Sequence, residues 1–332
     1  MMSLGVAIIG CGLIGQKRSG ALGPARLVAC ADVNLGRAQA LAASNPGAMA
    51  SRSWEAALRH PGVDVVIVST TNRFLAEITR TAVREKKHVL VEKPAARSVS
   101  ELEDVMAEAA SSGVKVRVGF NHRYHPALRK ARQLMAEGSL GEMMFVRGRY
   151  GHGGRIGYEK EWRADPVQSG GGELIDQGIH LIDLARCFLG EFSEICGFSH
   201  TYFWEMPVDD NAFLLLKTND KRCAFLHVSC TEWKNLFSLE VYGKKAKLHM
   251  EGLGGSYGVE RLAYYQMLPQ MGPPETTIWE YPTGDDSWRV EFEEFLEDIR
   301  LDRPPAAGLA DARAALAIVE RIYAESNDDH HP

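Results

Sequence analysis

Short apolar runs alternate with amphipathic segments along the first third of the chain. The apolar runs have the length and the valine content of buried parallel strands, and they occupy 6–9, 27–31, 63–68, 88–91 and 114–118. Segments with helical spacing lie between them, at 35–44, 54–59, 73–86 and 98–112. This alternation predicts an α/β, doubly wound parallel sheet.

The pattern changes after residue 123. Helices are predicted at 126–137 and 174–189, with a strand at 143–150 and a glycine-rich polar segment at 151–172 between them. Strand patterns then follow one another without helices, at 194–203, 211–218, 222–229, 236–242, 245–250 and 260–266. Hairpin turns fit between two pairs of these strands. Helices at 288–301 and 309–326 close the chain, so we predict a second α/β domain with a large open, mostly antiparallel sheet.

The first strand is followed by a glycine-rich turn. Gly10-Cys11-Gly12-Leu13-Ile14-Gly15 fits G-x-G-x-x-G, and the second strand ends at Asp32, about 20 residues past the middle glycine. The three glycines permit a tight turn, close approach to a pyrophosphate and helix packing, while the helix N-terminus favours phosphate. This spacing predicts an N-terminal Rossmann domain that binds NAD. A glycine-rich turn in another doubly wound protein is the alternative.

The acid at the end of the second strand bears on cofactor choice. Asp32 can accept hydrogen bonds from a ribose 2′-hydroxyl and would repel a 2′-phosphate, which favours NAD over NADP. Arg37 follows closely and could accept that phosphate, so NADP stays open. We place the Rossmann domain at 1–122 and a substrate-binding and oligomerisation domain at 123–332.

Lys93 lies after the predicted strand 88–91, at an edge where ligands bind in such sheets. Partial burial and a nicotinamide cation would both lower the pKa of its ammonium group, which suits proton transfer. The alternative is a solvated surface lysine.

The predicted helix 174–189 carries a second constellation. Asp176 and His180 are four residues apart, on one helix face, and Asp183 follows one turn later. A histidine beside an acid can exchange a proton near pH 7. A core histidine bonded to an aspartate for structural reasons fits the spacing equally well.

At these residues the chain resembles the glucose–fructose oxidoreductase / inositol dehydrogenase family, Gfo/Idh/MocA. The matching segments occur in order and span most of the chain: 10–15, 69–72, 92–94, 119–123, 162–163 and 170–183. The resemblance implies proton transfer by Lys93, Asp176 and His180. The residues expected to bind the cofactor are Gly10, Gly12, Leu13, Ile14, Gly15, Asp32, Ser69, Thr70, Asn72, Glu92, Lys93, Asn121, Trp162 and Arg163. The family resemblance also implies a homodimer or homotetramer formed through the open sheet.

The chain departs from the family pattern near the predicted substrate site. Arg73-Phe74-Leu75 stands where many members carry a histidine. The segment 147–165 contains four arginines, and guanidinium groups bind phosphate or carboxylate. We expect a sugar or polyol substrate, and these arginines favour one that is anionic or nucleotide-activated. Arginines that are only solvated are the alternative. A keto-sugar reductase and a non-catalytic sugar- or NAD-sensing regulator are the alternatives.

Composition limits the remaining classes. The 332 residues are 45% hydrophobic and 24% charged, with a net charge of −5, which does not favour nucleic-acid or membrane partners. No apolar run approaches the roughly 18 residues of a membrane span. The six cysteines form no C-x-x-C pair, and no Cys/His cluster has metal-ligand spacing. We expect a cytoplasmic protein with free thiols, no signal peptide and no metal.

Overall fold

A computed structural model describes residues 4–270 and 272–328. The chain divides into two units, Met1–Phe120 with Trp288–Leu316, and Asn121–Ser287 with Ala317–Pro332. The boundary predicted after residue 122 stays a prediction, but the returning segment 288–316 packs with the first unit rather than the second. The reason is apolar burial, because Phe292 and Phe295 lie in the core of the first unit.

The first unit contains a parallel sheet with the strand order β3-β2-β1-β4-β5-β6. Its strands are β1 Gly5–Ile9, β2 Arg26–Ala31, β3 Met49–Ser51, β4 Val65–Val68, β5 His88–Glu92 and β6 Val116–Gly119. The order reverses between β1 and β4, the place where doubly wound sheets bind ligands. The predicted Rossmann sheet is confirmed. The strand β3 was not predicted, because three partly buried residues leave no recognisable pattern.

Helices connect these strands, and several begin at side-chain caps. They are α1 Leu13–Ser19, α2 Leu35–Ala43, α3 Trp54–Leu58, α4 Asn72–Arg84 and α5 Val99–Ala110. Ser53 and Ser98 accept backbone N–H groups at the starts of α3 and α5, as N-cap residues do. The first unit therefore follows the predicted alternation closely.

The second unit is built on an eight-stranded sheet with the order β14-β13-β12-β11-β7-β10-β9-β8. Its strands are β7 Met143–Gly151, β8 Glu194–His200, β9 Asn211–Lys217, β10 Cys223–Ser229, β11 Leu236–Gly243, β12 Ala246–Glu251, β13 Glu260–Gln266 and β14 Glu275–Tyr281. The pair β7–β10 is parallel, whereas the neighbouring pairs are antiparallel. The mostly antiparallel sheet is confirmed. The edge strand β14 was not predicted, because most of its residues are exposed and leave no alternation.

The second unit contains α6 Pro126–Ala136, the short α7 Pro166–Ser169 and α8 Ile179–Leu189. The closing helices of the chain are α9 Ser287–Arg300, nearly all of which belongs to the first unit, and α10 Leu309–Asp328. Helix α8 packs on β7 and β10. Alternation along β7 buries Tyr150 on one face and exposes Arg147 and Arg149 on the other. No helix within the described ranges is long and apolar enough to cross a membrane.

Candidate active site

The glycine turn after β1 is held in a conformation that other residues would strain. Gly10 has φ +93°, and a Cβ there would lie 2.4 Å from the Ser69 carbonyl oxygen. A Cβ on Gly15 would lie 2.0 Å from the Gly10 oxygen, so α1 approaches the turn too closely for any side chain. Gly12 caps α1 without a side chain, and a Cβ there would meet open space. The turn thus leaves room for a ligand beside the backbone.

Asp32 at the end of β2 is fixed next to this turn. Its carboxylate accepts hydrogen bonds from the Cys11 and Asn34 backbone N–H groups, both at 2.8 Å. Each carboxylate oxygen keeps further lone pairs, so a ribose diol can still be bound. Leu13 and Val33 expose apolar side chains next to the turn and the acid. The residues present therefore fit a dinucleotide.

The polar residues after β4 support the same turn. The Ser69 hydroxyl donates to the Gly10 carbonyl at 2.8 Å, which joins the segment after β4 to the segment after β1. Thr70 donates to the Thr71 carbonyl at 3.1 Å, and Asn72 begins α4 in a buried position. The structure brings these predicted residues together, and their contact with a cofactor stays a prediction.

Glu92 belongs to a buried ion cluster. Its carboxylate accepts from Arg18 Nε at 2.7 Å, and a second nitrogen of Arg18 donates to Glu291 at 2.6 Å. Arg18 lies on α1 and Glu291 on α9, and the Arg18 guanidinium lies 4.5 Å from the Trp288 ring. The cluster fixes Glu92, the residue immediately before Lys93. Lys93 itself is half-buried at the strand end. Glu92 was predicted to bind the cofactor, whereas Arg18 was not predicted to have a role, because a single arginine in a helix leaves no recognisable pattern.

In the second unit, Asp176 and His180 lie on a helix that starts irregularly. Residues Leu174–Gly178 form a π-helical turn that continues into α8, and the sequence predicted one continuous helix. Such turns are often found at functional sites. The buried Asp209 holds the start of this helix by accepting from the N–H groups of Gly172 and Leu174 at 2.9 and 2.8 Å. The side chains of Asp176 and His180 are both buried.

Arg163 is the ion-pair partner of Asp176. Its Nε donates to Asp176 Oδ2 at 2.9 Å, and the negative charge of Asp176 raises the pKa of Arg163. The Arg163 guanidinium also lies 4.6 Å from the Trp162 ring. Trp162 and Arg163 were predicted to bind the cofactor, and in this unit Arg163 holds the carboxylate of a predicted catalytic residue.

His180 is stacked on a second histidine, His122. Their ring centroids are 3.8 Å apart and the rings are inclined by 18°. His122 Nε2 lies 3.0 Å from the Tyr150 hydroxyl, and its Nδ1 lies 3.2 Å from Asn121 Oδ1. No role was predicted for His122. The contact of Asn121 with the cofactor stays a prediction. Only the packing of β7, α8 and the 3₁₀ turn Asn121–Tyr124 brings these residues together.

Glu173 is a further buried acid that the sequence did not single out. Neither carboxylate oxygen has a hydrogen-bond partner among the described residues, and His152 Nε2 lies 3.6 Å away. Burial raises the pKa of Glu173. Its position three residues before Asp176 adds a second acid to this end of the helix.

Two family models match this chain. Residues 4–120 match the oxidoreductase family with an NAD-binding Rossmann fold, and residues 128–249 match the GFO/IDH/MocA C-terminal domain. The chain belongs to the GFO/IDH/MocA oxidoreductase family. The predicted family is thereby confirmed, and the first unit of this chain is an NAD-binding Rossmann fold.

Relatives within the GFO/IDH/MocA family share moderate identity. Levoglucosan dehydrogenase of Pseudarthrobacter phenanthrenivorans is 29% identical over 229 residues, which are 63% of this chain and 57% of that protein. The chain thus spans less than two thirds of that relative. The scyllo-inositol 2-dehydrogenase (NAD(+)) of Bacillus subtilis is 25% identical over 327 residues, 94% of this chain and 91% of that protein. D-glucoside 3-dehydrogenase of Escherichia coli is 33% identical over 196 residues, 56% of this chain and 54% of that protein.

A solved structure of levoglucosan dehydrogenase in complex with NADH and L-sorbose has a TM-score of 0.87. It is 22% identical, and the match covers 98% of each chain. At this identity the match establishes the GFO/IDH/MocA fold. Within the described residues, no group of three or more His, Cys, Asp or Glu side chains is arranged to hold a metal ion.

Proposed function

We propose that the protein is an NAD-dependent oxidoreductase that transfers hydride between nicotinamide and a hydroxyl-bearing carbon of a sugar or polyol. The observation that carries the proposal is the pair of buried side chains His180 and Asp176, with half-buried Arg163 as the ion-pair partner of Asp176, in the unit that accompanies an NAD-binding Rossmann unit. An imidazole with an oriented carboxylate is suited to proton transfer, which oxidation of a hydroxyl requires.

We assign three roles to the chain's own residues. His180 takes the proton from the substrate hydroxyl, Lys93 assists at the same oxygen, and Asp176 orients the site while Arg163 balances its charge. Bound nicotinamide supplies the hydride acceptor. Lys93 belongs to the first unit and the other residues to the second, so their action on one substrate is part of the proposal. The protein contributes positioning and proton transfer.

NAD is the proposed cofactor because Asp32 is fixed at the end of β2. Its two backbone hydrogen bonds hold a negative charge where a 2′-phosphate would have to lie. Arg37 is exposed on α2 and would have to offset that charge for NADP to bind. NADP remains the less favoured alternative.

We propose an uncharged cyclic polyol or sugar rather than a nucleotide-activated one. Each arginine considered for anion binding has an acidic partner: Arg147 with Glu240, Arg149 with Glu232, Arg155 with Glu161 and Arg163 with Asp176. Arg147 and Arg149 also lie on the sheet face opposite Tyr150. The names of the relatives, which refer to levoglucosan, an inositol and a D-glucoside, agree with a neutral ring substrate.

We also propose that the open sheet face forms a homodimer or homotetramer. Phe198, Leu215 and Phe225 are each about half exposed on β8, β9 and β10, and contiguous apolar surface of this kind marks association sites.

The cytoplasmic location stays a prediction. All six cysteines lie in the described residues and none forms a disulfide, and Cys196 is exposed.

The test is a screen for NAD⁺ reduction across inositols, neutral sugars, anhydrosugars, sugar acids and sugar nucleotides. We expect turnover with a neutral ring substrate and loss of turnover in Lys93→Met, with the affinity for NAD retained. Near-normal turnover of Lys93→Met would remove Lys93 from the mechanism. Turnover restricted to sugar nucleotides would overturn the neutral-substrate proposal, and binding without redox change across the panel, in both directions, would favour the regulator.

A further inference from the structure

We infer that His122 is a positioning residue: a one-way hydrogen-bond chain fixes its tautomer, and its ring supports His180. The inference rests on the proposed function insofar as His180 is the proton acceptor. Its geometric part, the tautomer and the support, can be measured independently.

The direction of the chain follows from its carboxylate end. Asp285 Oδ1 accepts hydrogen bonds from Ser287 N at 3.0 Å and from Ser287 Oγ at 2.5 Å. A hydroxyl has one proton, so Ser287 Oγ must act as acceptor towards Asn121 Nδ2, which lies 3.0 Å away. The Asn121 amide is therefore oriented with its oxygen towards His122.

The imidazole of His122 continues the hydrogen-bond chain. Asn121 Oδ1 can only accept, so His122 Nδ1 carries a proton and donates to it across 3.2 Å. In the neutral ring Nε2 is then an acceptor, and the Tyr150 hydroxyl at 3.0 Å is its donor. Burial raises the pKa of Tyr150 well above its usual value, which keeps this hydroxyl protonated. Both ring nitrogens of His122 are thus committed, which sets the plane of the ring.

His180 lies on that plane. The rings are nearly parallel at 3.8 Å, and both histidines are buried. Other groups face His122 edge-on: His125, Tyr150 and Phe237 have ring centroids at 5.5, 5.2 and 6.2 Å. One face of the His180 ring is therefore fixed by a neighbour that cannot rotate without breaking two hydrogen bonds. Misplacement of a proton acceptor by about 1 Å can lower turnover about 100-fold.

A matched control lies three residues along the chain. His125 is equally buried, but its Nδ1 is bonded to Glu260 at 3.0 Å and its ring meets His122 edge-on. His125→Ala removes the same number of atoms from the same segment without removing the support of His180. His122→Phe keeps a flat ring at the stacking position and removes both polar nitrogens.

The experiment compares these variants by kinetics and by NMR of protein labelled with ¹⁵N-histidine. We expect His122→Ala to lower kcat at least 10-fold, with KM and the Kd for NAD within about 3-fold of wild type. His122→Phe should recover at least half of that loss in kcat on a logarithmic scale. The kcat of His125→Ala should stay within about 3-fold of the wild-type value. In long-range ¹H–¹⁵N spectra, His122 should be the Nδ1–H tautomer in wild type and a mixture in Tyr150→Phe.

Each contrary result overturns the inference. An unchanged kcat in His122→Ala, or an equal loss in His125→Ala, would show that stacking does not position His180. An Nε2–H tautomer of His122 would show that the chain runs the other way. If wild type oxidises and reduces no substrate, the proposed function fails, and the tautomer of His122 and the His180 line shape in His122→Ala decide the inference alone.

Discussion

Replacing Arg18 by Met should destabilise the first unit strongly, and more strongly at pH 8 than at pH 5. The Arg18 side chain is fully buried and is paired with Glu92 and Glu291, whose side chains are 9% and 0% exposed. Removing one partner of a buried ion pair costs about 3–5 kcal/mol because the remaining charge stays in a poorly solvated position. Here two carboxylates lose the same partner, so the upper part of that range is expected.

The pH dependence follows from Glu291. Burial already raises the pKa of Glu291 in the folded protein, and the charge of Arg18 opposes that shift. Without Arg18 the folded-state pKa rises further above the unfolded value. An acid whose pKa is higher in the folded state does not lower the free energy of unfolding at pH values below its pKa in the unfolded state. The free energy of unfolding falls as the pH rises from that value towards the pKa in the folded state. The loss in Arg18→Met should therefore shrink at pH 5, and Glu291→Gln added to Arg18→Met should restore part of the stability at pH 8.

The assay is urea unfolding at both pH values, followed by circular dichroism and tryptophan fluorescence, with Trp288 close to the cluster. Arg117→Met is the control, because Arg117 is equally buried and also binds α9. In Arg117→Met the buried partner Asp298 retains its ion pair with Arg303 at 2.5 Å. The loss of stability and its pH dependence should therefore be smaller than in Arg18→Met. A loss below about 1 kcal/mol in Arg18→Met, or a larger loss at pH 5 than at pH 8, would refute the reasoning.

Three further predictions concern the turn, the cofactor and assembly. Gly15→Ala should abolish NAD binding measured by isothermal titration calorimetry, because the new Cβ would lie 2.0 Å from the Gly10 carbonyl oxygen. The new Cβ of Gly12→Ala would have no protein atom within 4 Å, so this variant should retain the fold as measured by circular dichroism. Asp32→Asn should raise the NADP/NAD ratio of kcat/KM at least 10-fold by removing a negative charge; an unchanged ratio would shift the selectivity to other residues. Leu215→Glu, at a residue 53% exposed on the open sheet face, should shift the mass measured by light scattering towards that of the monomer, and an unchanged mass would exclude this face.

Local patterns determined the parts of this protein that depend on nearby residues. The turn Gly10–Gly15 could be recognised because its geometry depends on residues within one strand-turn-helix unit, and Asp32 ends the next strand. The apolar runs identified β1, β2 and β4 because both faces of a parallel sheet are buried. Strand alternation could also have shown that Arg147 and Tyr150 point to opposite faces, although sequence analysis did not use that signal.

The remaining features depended on contacts between distant residues. Arg18 and Glu92 are 74 positions apart, and Asn121 and Ser287 are 166 apart, so no local pattern indicates either pair. The stacking of His180 on His122 likewise joins α8 to the distant 3₁₀ turn Asn121–Tyr124. A single buried arginine or histidine has the same appearance in a sequence whether it is a core residue or a positioning residue. Only the folded chain decides, because the role is set by the partner that burial brings within hydrogen-bonding distance.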